Sequence, residues 1–253
     1  MAFFEFNRAL VRAPSASVVQ GLRAAGGPAP SAEGFRKEHV AYVSALQSAG
    51  LAVRTLPALE KFPDAVFVED PALVFANGAI LLHPGAPSRR GEVGAIEPHL
   101  REEFDWVLRL EKGQVDGGDV LATPRMIVIG LSARTNAAGA SDLIRLLDRL
   151  GYCGQVVPTP RNVLHLKSAC TLLDEETLLA TRAVAQSGIL NSFRLLEVPD
   201  GEEHAANALR LNGQVLASAE HPRTLDLLSR HGCSLVPLPT ADGRPFADGM
   251  VVM

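Results

Sequence analysis

The sequence predicts an α/β chain of five repeated units that close on themselves, and three observations carry that prediction. Short apolar strands of similar make recur at Val53–Pro57, Val107–Glu111, Val156–Pro160, Leu195–Pro199 and Leu235–Pro239. Each follows a helical or glycine-stopped segment and precedes a pair of strands joined by a turn. Acids, a histidine and an amide then fall at matching positions of different units. The recurring strands start roughly 40 to 55 residues apart, a repeat length that decides the fold before any single element does.

Taken in order, Arg8–Ala13 reads as a short strand. Pro14–Pro30 reads as a loop rich in Gly, Pro and Ser, with a short helix near Val18–Arg23. A helix runs from about Ser31, a fitting N-cap, to Ser48, with Gly50 as its stop. The stretch Phe62–Pro71 sets Asp64, Glu69 and Asp70 among apolar residues between two prolines. As a strand it would put Asp64, Val66 and Val68 on one face and Ala65, Phe67 and Glu69 on the other, with Asp70 at its mouth. Carboxylates are rarely buried without a partner, so this reads as a rigid element delivering acids to a pocket for a cation. An edge strand with solvated acids fits the residues equally.

Four hairpins follow. Ala65–Phe75 pairs with Ala79–His83, Asp119–Thr123 with Met126–Gly130, Val163–Leu173 with Thr177–Arg182, and Ala205–Leu211 with Gln214–Ala219. Helices are expected near Gly91–Glu103, Asn136–Leu150 and Pro222–His231, and a less marked one near Arg182–Gly188. A fifth unit lacks its first half after Pro239. The C-terminal strand Gly249–Met253 supplies it by pairing with Arg8–Ala13.

Closure brings the starts of the units together: Glu69 and Asp70, Asp116-Gly117-Gly118-Asp119, His165, Asn207 and Asp248. Singly, each has a plainer reading. His165 could be a core histidine, Asp116–Asp119 a glycine turn, Ser88–Glu92 a capped helix start, and Ala133–Asn136 a loop. Arg89 and Arg134 in the last two segments could instead fork onto carboxylates, each charge-assisted contact contributing about 1.5–3 kcal/mol.

Composition narrows the partners. The 253 residues are 47% hydrophobic and 21% charged, with a net charge of −4, which gives no reason to expect nucleic acid or an anionic membrane. The start lacks the order of a secretory signal, and no apolar run approaches the span of a bilayer. Cys153, Cys170 and Cys233 have no paired or metal-type spacing, which points to free thiols and a cytoplasmic protein. Cys153 and Cys233 are expected to be buried structural thiols at the starts of outer strands. Cys170 would face away from His165 on a regular strand. No metal-ligand spacing or phosphate-cradling glycine loop is found, so neither a metal nor a cofactor is expected.

Phe62–Asp70, Ser88–Glu92, Gly118-Asp119, Ser132–Asn136 and Leu164–Ser168 together resemble the motifs of the dimethylarginine dimethylaminohydrolase family. The likeness runs from Val11 to Gly249. It implies the family's pentein fold, a five-bladed, pseudo-symmetric α/β-propeller in a single domain, 1–253, closed by pairing of the terminal strands. It also implies hydrolysis of methylated arginine to citrulline and an amine through a cysteine thiolate. On that resemblance Asp70 would bind the guanidinium, Asp116 stands where the family has glutamate, and His165 would be acid and base. Arg89 and Arg134 would clamp the α-carboxylate. Asp64 and main-chain carbonyls near Leu22 and Ala247 would meet the α-amine, and Glu69 would support the pocket wall. The implied partner is a small zwitterionic amino acid with a cationic or guanidino tail; a homodimer is compatible with the sequence.

The departure from the pattern is Met253, which falls where the family has its nucleophilic cysteine. A thioether cannot become a thiolate. Three readings follow: a hydrolase of this type whose chain lacks its proper C-terminus through truncation or a frameshift, a nucleophile-free relative doing acid-base chemistry on another amino acid, and an amino-acid-binding protein.

Overall fold

The structure, a computed structural model, describes residues 4–22, 31–240 and 250–253. In chain order its elements are β1 (Arg8–Arg12), α1 (Ala32–Ser48), β2 (Ala52–Leu56), β3 (Ala72–Phe75), β4 (Gly78–Leu81), α2 (Glu92–Glu103), β5 (Val107–Arg109) and β6 (Val120–Ala122). There follow β7 (Ile127–Leu131), α3 (Ala137–Arg149), β8 (Gly154–Pro158), β9 (Cys170–Leu172), β10 (Thr177–Ala180), α4 (Arg182–Ser187) and β11 (Arg194–Glu197). The last are β12 (Leu209–Leu211), β13 (Gln214–Ser218), α5 (Pro222–Arg230) and β14 (Ser234–Leu238).

One pattern is written five times. In the sheets β3-β4-β5, β6-β7-β8, β9-β10-β11 and β12-β13-β14, the middle strand runs antiparallel to the first and parallel to the third, with a helix between second and third. The fifth copy is split between the termini. β1 lies parallel to β2 across α1, and Leu10 exchanges backbone hydrogen bonds of 2.9 and 3.2 Å with Val252 in an antiparallel bridge. The expected pairing of N- and C-terminal segments is present.

The sequence explains the roles. Strands β4 and β10 are buried at every position and carry continuous apolar runs, as strands covered on both faces must. The third strands are edges, which is why β8 and β14 tolerate Pro158 and Pro237 without losing a ladder bond. Ser31 caps α1 by accepting the Gly34 N–H at 3.1 Å, and Asn136 caps α3 by accepting that of Gly139 at 2.9 Å.

The chain divides into two compact units, Met1–Val68 with Pro199–Met253, and Glu69–Val198. The core of the first gathers Val11, Tyr42, Leu46, Leu211 and Leu216, with Met253 packed against it partly buried. That of the second gathers Ile80, Val115, Ile129, Leu143 and Leu147.

Several expectations are corrected. Residues 62–71 form no strand but a run of turns, with Ala65 N–H bonded to Phe62 O at 3.0 Å and Phe67 N–H to Asp64 O at 3.0 Å. Local bonds satisfy this backbone without a partner strand, while Ala65, Val66 and Val68 are still buried. The expected strand Val163–Leu173 is a 3-10 turn, Leu166–Ser168, followed by the three residues of β9, and Ala205–Leu211 likewise shortens to β12 after a 3-10 turn. The strand argument that turned Cys170 away from His165 therefore lapses; its buried thiol donates back to Leu166 O at 3.4 Å. Cys153 is exposed and Cys233 half-buried, not core thiols. Both sit just past glycines with positive φ, Gly151 and Gly232, where the chain leaves a helix for an edge strand. Ala247, Asp248 and Gly249 lie outside the described residues.

Helix α1 carries an acid-sensitive group in its buried face. His39 is buried, and its Nε2 has no hydrogen-bond partner among the described residues. Burial lowers its pKa to about 4, against the opposing effect of a hydrogen bond to the Arg12 backbone. An unfolded histidine takes up its proton near pH 6.5, so folding stability falls as pH drops from 6.5 to 4, by up to about 3 kcal/mol. Urea unfolding at pH 7 and 4.5 measures this, and His39→Leu should remove that part of the pH dependence; an equally steep loss in the variant would refute the assignment.

Candidate active site

In the second unit three short turn segments lead into the first strand of a sheet, and each carries a chemically active side chain. Asp70 precedes β3, Asp116 precedes the 3-10 turn Gly117–Asp119 into β6, and His165 precedes the 3-10 turn into β9. The structure brings these three together. His165 Nε2 lies 3.0 Å from Asp116 Oδ2, and because a carboxylate accepts, Nε2 carries the proton. Asp116 is fully buried, and its Oδ1 accepts the Gly85 N–H at 2.7 Å. Asp70 Oδ1 accepts the Gly118 N–H at 3.0 Å.

Arg89 and Arg134 are placed differently. Arg89, in the 3-10 turn that leads into α2, is buried. It forks onto Glu92, with Nε 3.1 Å from both carboxylate oxygens and Nη2 2.7 Å from Oε2, while Nη1 pairs with Asp70 Oδ2. Arg134 is partly exposed, with Nη1 3.9 Å from Asp116 Oδ2. Glu69 pairs with the buried Lys167. In the first unit, the Leu22 N–H donates to both oxygens of Asp64, at 2.9 and 3.2 Å, so Leu22 meets Asp64 through its N–H.

The electrostatics follow from burial and from these contacts. Burial opposes the charge on His165, but the Asp116 hydrogen bond and the charges of Asp70, Asp119 and Asp116 outweigh it and hold its pKa above the ordinary value. Burial also opposes ionisation of Asp70; Arg89, His165 and the Gly118 N–H overcome this and hold its pKa down, at about 2. For Asp119, burial prevails and the pKa is raised.

Asp119, Glu92 and Lys167 received no role from sequence reasoning, although each lies inside a motif singled out there. Asp119 ties the site's loops together, accepting from Ser132 Oγ at 2.6 Å, Thr135 Oγ1 at 2.7 Å and the Leu166 N–H at 2.9 Å. The signal available for it was the second acid of Asp116-Gly-Gly-Asp119. Asp70, Asp116 and His165 each offer one ligand atom within 4.8 Å of the others, a spacing that could hold a metal ion. Here those atoms serve one another and Arg89.

Gly118 leaves room for the cluster, since a Cβ there would meet the His165 ring at 2.9 Å and Asp70 Oδ1 at 3.2 Å. Gly118→Ala should push the ring away from Asp116 and lower the His165 titration midpoint, read by NMR of the ring protons. An unmoved midpoint in a folded variant would show that the ring has room to spare.

Five such sheets and a buried acid-histidine cluster define a class. The family model described as arginine deiminase matches residues 55–219, placing the chain in the guanidino-group-modifying superfamily with its pentein fold. Dimethylarginine dimethylaminohydrolase of Pseudomonas aeruginosa is 36% identical over 250 residues, covering 98% of each chain, and that of Streptomyces coelicolor is 37% identical over 232 residues, 89% of this chain and 87% of the relative. A solved structure of the Pseudomonas aeruginosa protein, a cysteine-to-serine variant complexed with citrulline, superposes with a TM-score of 0.93 at 35% identity, covering 98% of this chain and 99% of that one. The chain belongs to the dimethylarginine dimethylaminohydrolase family. No helix among the described residues is long and apolar enough to cross a membrane.

Proposed function

We propose that this chain acts on the guanidino group of an arginine-type amino acid, in the manner of a dimethylarginine dimethylaminohydrolase, to give citrulline and an amine. The observation that carries the proposal is the cluster of the buried Asp70 and Asp116 with the partly buried His165, an anion for a guanidinium beside a histidine whose surroundings hold its pKa above the ordinary value. Asp70 receives the guanidinium, Asp116 orients the His165 ring, and Arg134 and Arg89 serve the α-carboxylate. In the family route a thiolate bonds to the guanidinium carbon while His165 gives its proton to the leaving amine as the C–N bond breaks; His165 then takes a proton from the water that displaces the sulfur and supplies the new carbonyl oxygen. Citrulline, the product in this reading, is also the ligand named for the Pseudomonas aeruginosa structure.

The family route runs through a cysteine thiolate, and by sequence register Met253 stands in its place. Loss of a nucleophile from a concerted catalytic unit costs on the order of 10⁶ in kcat, so with methionine at that position the thiolate route runs only through another thiol of the chain, which alkylation reports. Met253 favours a second reading, acid-base chemistry on a small amino acid with His165 as base and no covalent intermediate. A mass-spectrometric time course with dimethylarginine, monomethylarginine, arginine and citrulline, before and after thiol alkylation, separates the two. Citrulline lost on alkylation supports a thiol route and a product that survives it supports the second. Saturable binding without any product removes both and leaves a binding protein.

A further inference from the structure

The acid that the proposed function assigns to the substrate guanidinium already holds a guanidinium, and it is the chain's own. Arg89 Nη1 pairs with Asp70 Oδ2, and the other edge of the same guanidinium is forked onto Glu92, at 2.7 Å for Nη2 and 3.1 Å for Nε. All three side chains are buried, with Arg89 5%, Asp70 7% and Glu92 3% exposed. With Oδ1 of Asp70 engaged by the Gly118 N–H, a second guanidinium finds neither oxygen of that carboxylate unengaged while Arg89 remains, and would have to approach beside another buried cation. Arg89, with both edges engaged, has in turn no planar fork to offer a carboxylate.

We infer that Arg89 is an internal competitor for Asp70, parked by Glu92, and that its release opens both ends of the substrate site in one step. When Arg89 leaves Asp70, the acid becomes available to a guanidinium and the arginine to a carboxylate. A ligand carrying both groups compensates both of the charges separated by the exchange. A ligand carrying the guanidinium alone leaves a buried arginine short of a partner, which is costly in low-dielectric surroundings. The exchange therefore selects amino acids with a guanidino tail over simple guanidines without any contact to the atoms between head and tail. Glu92 is a positioning residue in this scheme, since it acts through Arg89. The inference rests on Asp70 being the guanidinium acid of the proposed function.

The test compares methylguanidine, which has only the tail, with monomethylarginine, which has both groups, by calorimetric titration. Arg89→Met/Glu92→Gln removes the competitor together with the second carboxylate described on it, so that Asp70 loses its guanidinium and keeps its own charge. Methylguanidine should bind this variant about ten- to hundredfold tighter than wild type, the range of one charge-assisted hydrogen bond, while monomethylarginine weakens; adding Asp70→Asn should abolish the gain. Equal affinity of methylguanidine for wild type and the double variant overturns the competition. Binding that ignores Asp70→Asn, or no binding of either probe to any form, overturns instead the assignment of Asp70 to the guanidinium. Wild-type protein gives an independent readout that does not depend on the double variant. With ¹⁵N-labelled arginine, the Arg89 side-chain resonance, assigned by its loss in Arg89→Lys, should shift when monomethylarginine saturates the site, and an unmoved resonance overturns the proposal.

Discussion

Met253→Cys should raise citrulline formation from a methylated arginine by about 10³-fold or more, recovering part of the roughly 10⁶ that a nucleophile contributes to a concerted catalytic unit. Among the described residues the three cysteines offer no substitute that the proposed chemistry uses. Cys170 is buried with its thiol turned to Leu166 O, Cys153 is exposed and Cys233 is half-buried. Met253 stands one residue beyond Val252, whose backbone is held by Leu10, and it packs partly buried against the core of the first unit. Cysteine is smaller, so the cost of the change is a small cavity, about 1 to 2 kcal/mol by the trend for lost core methylenes, which a thermal melt will show. Iodoacetamide should erase the gained activity and leave the wild type unaffected. A folded Met253→Cys protein with no gain in citrulline would remove the thiolate route and with it the assignment of position 253 to the nucleophile.

The repeat was legible because each unit follows the same local grammar: a turn, an apolar hairpin, a helix, and a short edge strand ended by proline or charge. Asp70, Asp116 and His165 were legible for the same reason, standing at equivalent places before β3, β6 and β9. Asn207 holds that place before β12. The secondary structure of these entry segments was not legible. Phe62–Pro71 alternates apolar and acidic residues as a strand would, yet its prolines and short-range hydrogen bonds make turns of it. The stretch around His165 has apolar neighbours on both sides, but Ser168 Oγ donates to His165 O at 2.7 Å and winds the chain into a 3-10 turn. The partner of Arg89 was out of reach for a different reason. A pair separated by nineteen residues, Arg89 with Asp70, is set by how α2's approach packs against the turn before β3, and no periodicity in the sequence encodes it. Burial of the thiols misled although Cys153 and Cys233 were expected at the starts of outer strands, because a position just past a helix-ending glycine on an edge leaves the side chain open to solvent.

His165→Ala on the Met253→Cys background should lower turnover by about 10²- to 10⁴-fold, the contribution of a positioned general acid and base. The pH profile carries the finer test. Because burial is outweighed by the Asp116 hydrogen bond and by the charges of Asp70 and Asp119, His165 keeps its proton above the ordinary histidine pKa. The step that protonates the leaving amine should therefore persist above pH 6.5 and decline only as the folded-state value is passed. Stability is linked to the same proton, and its sign is fixed. A histidine whose folded pKa is raised stabilises the folded state fully below the unfolded value near 6.5, and that stabilisation is lost as pH rises through the folded value. Wild type should consequently exceed His165→Ala in unfolding free energy by more at pH 6 than at pH 9, whatever the activity of either protein. A difference that is constant, or that grows with pH, would mean that the ring is held neutral, and the role of His165 as proton donor would fall with it.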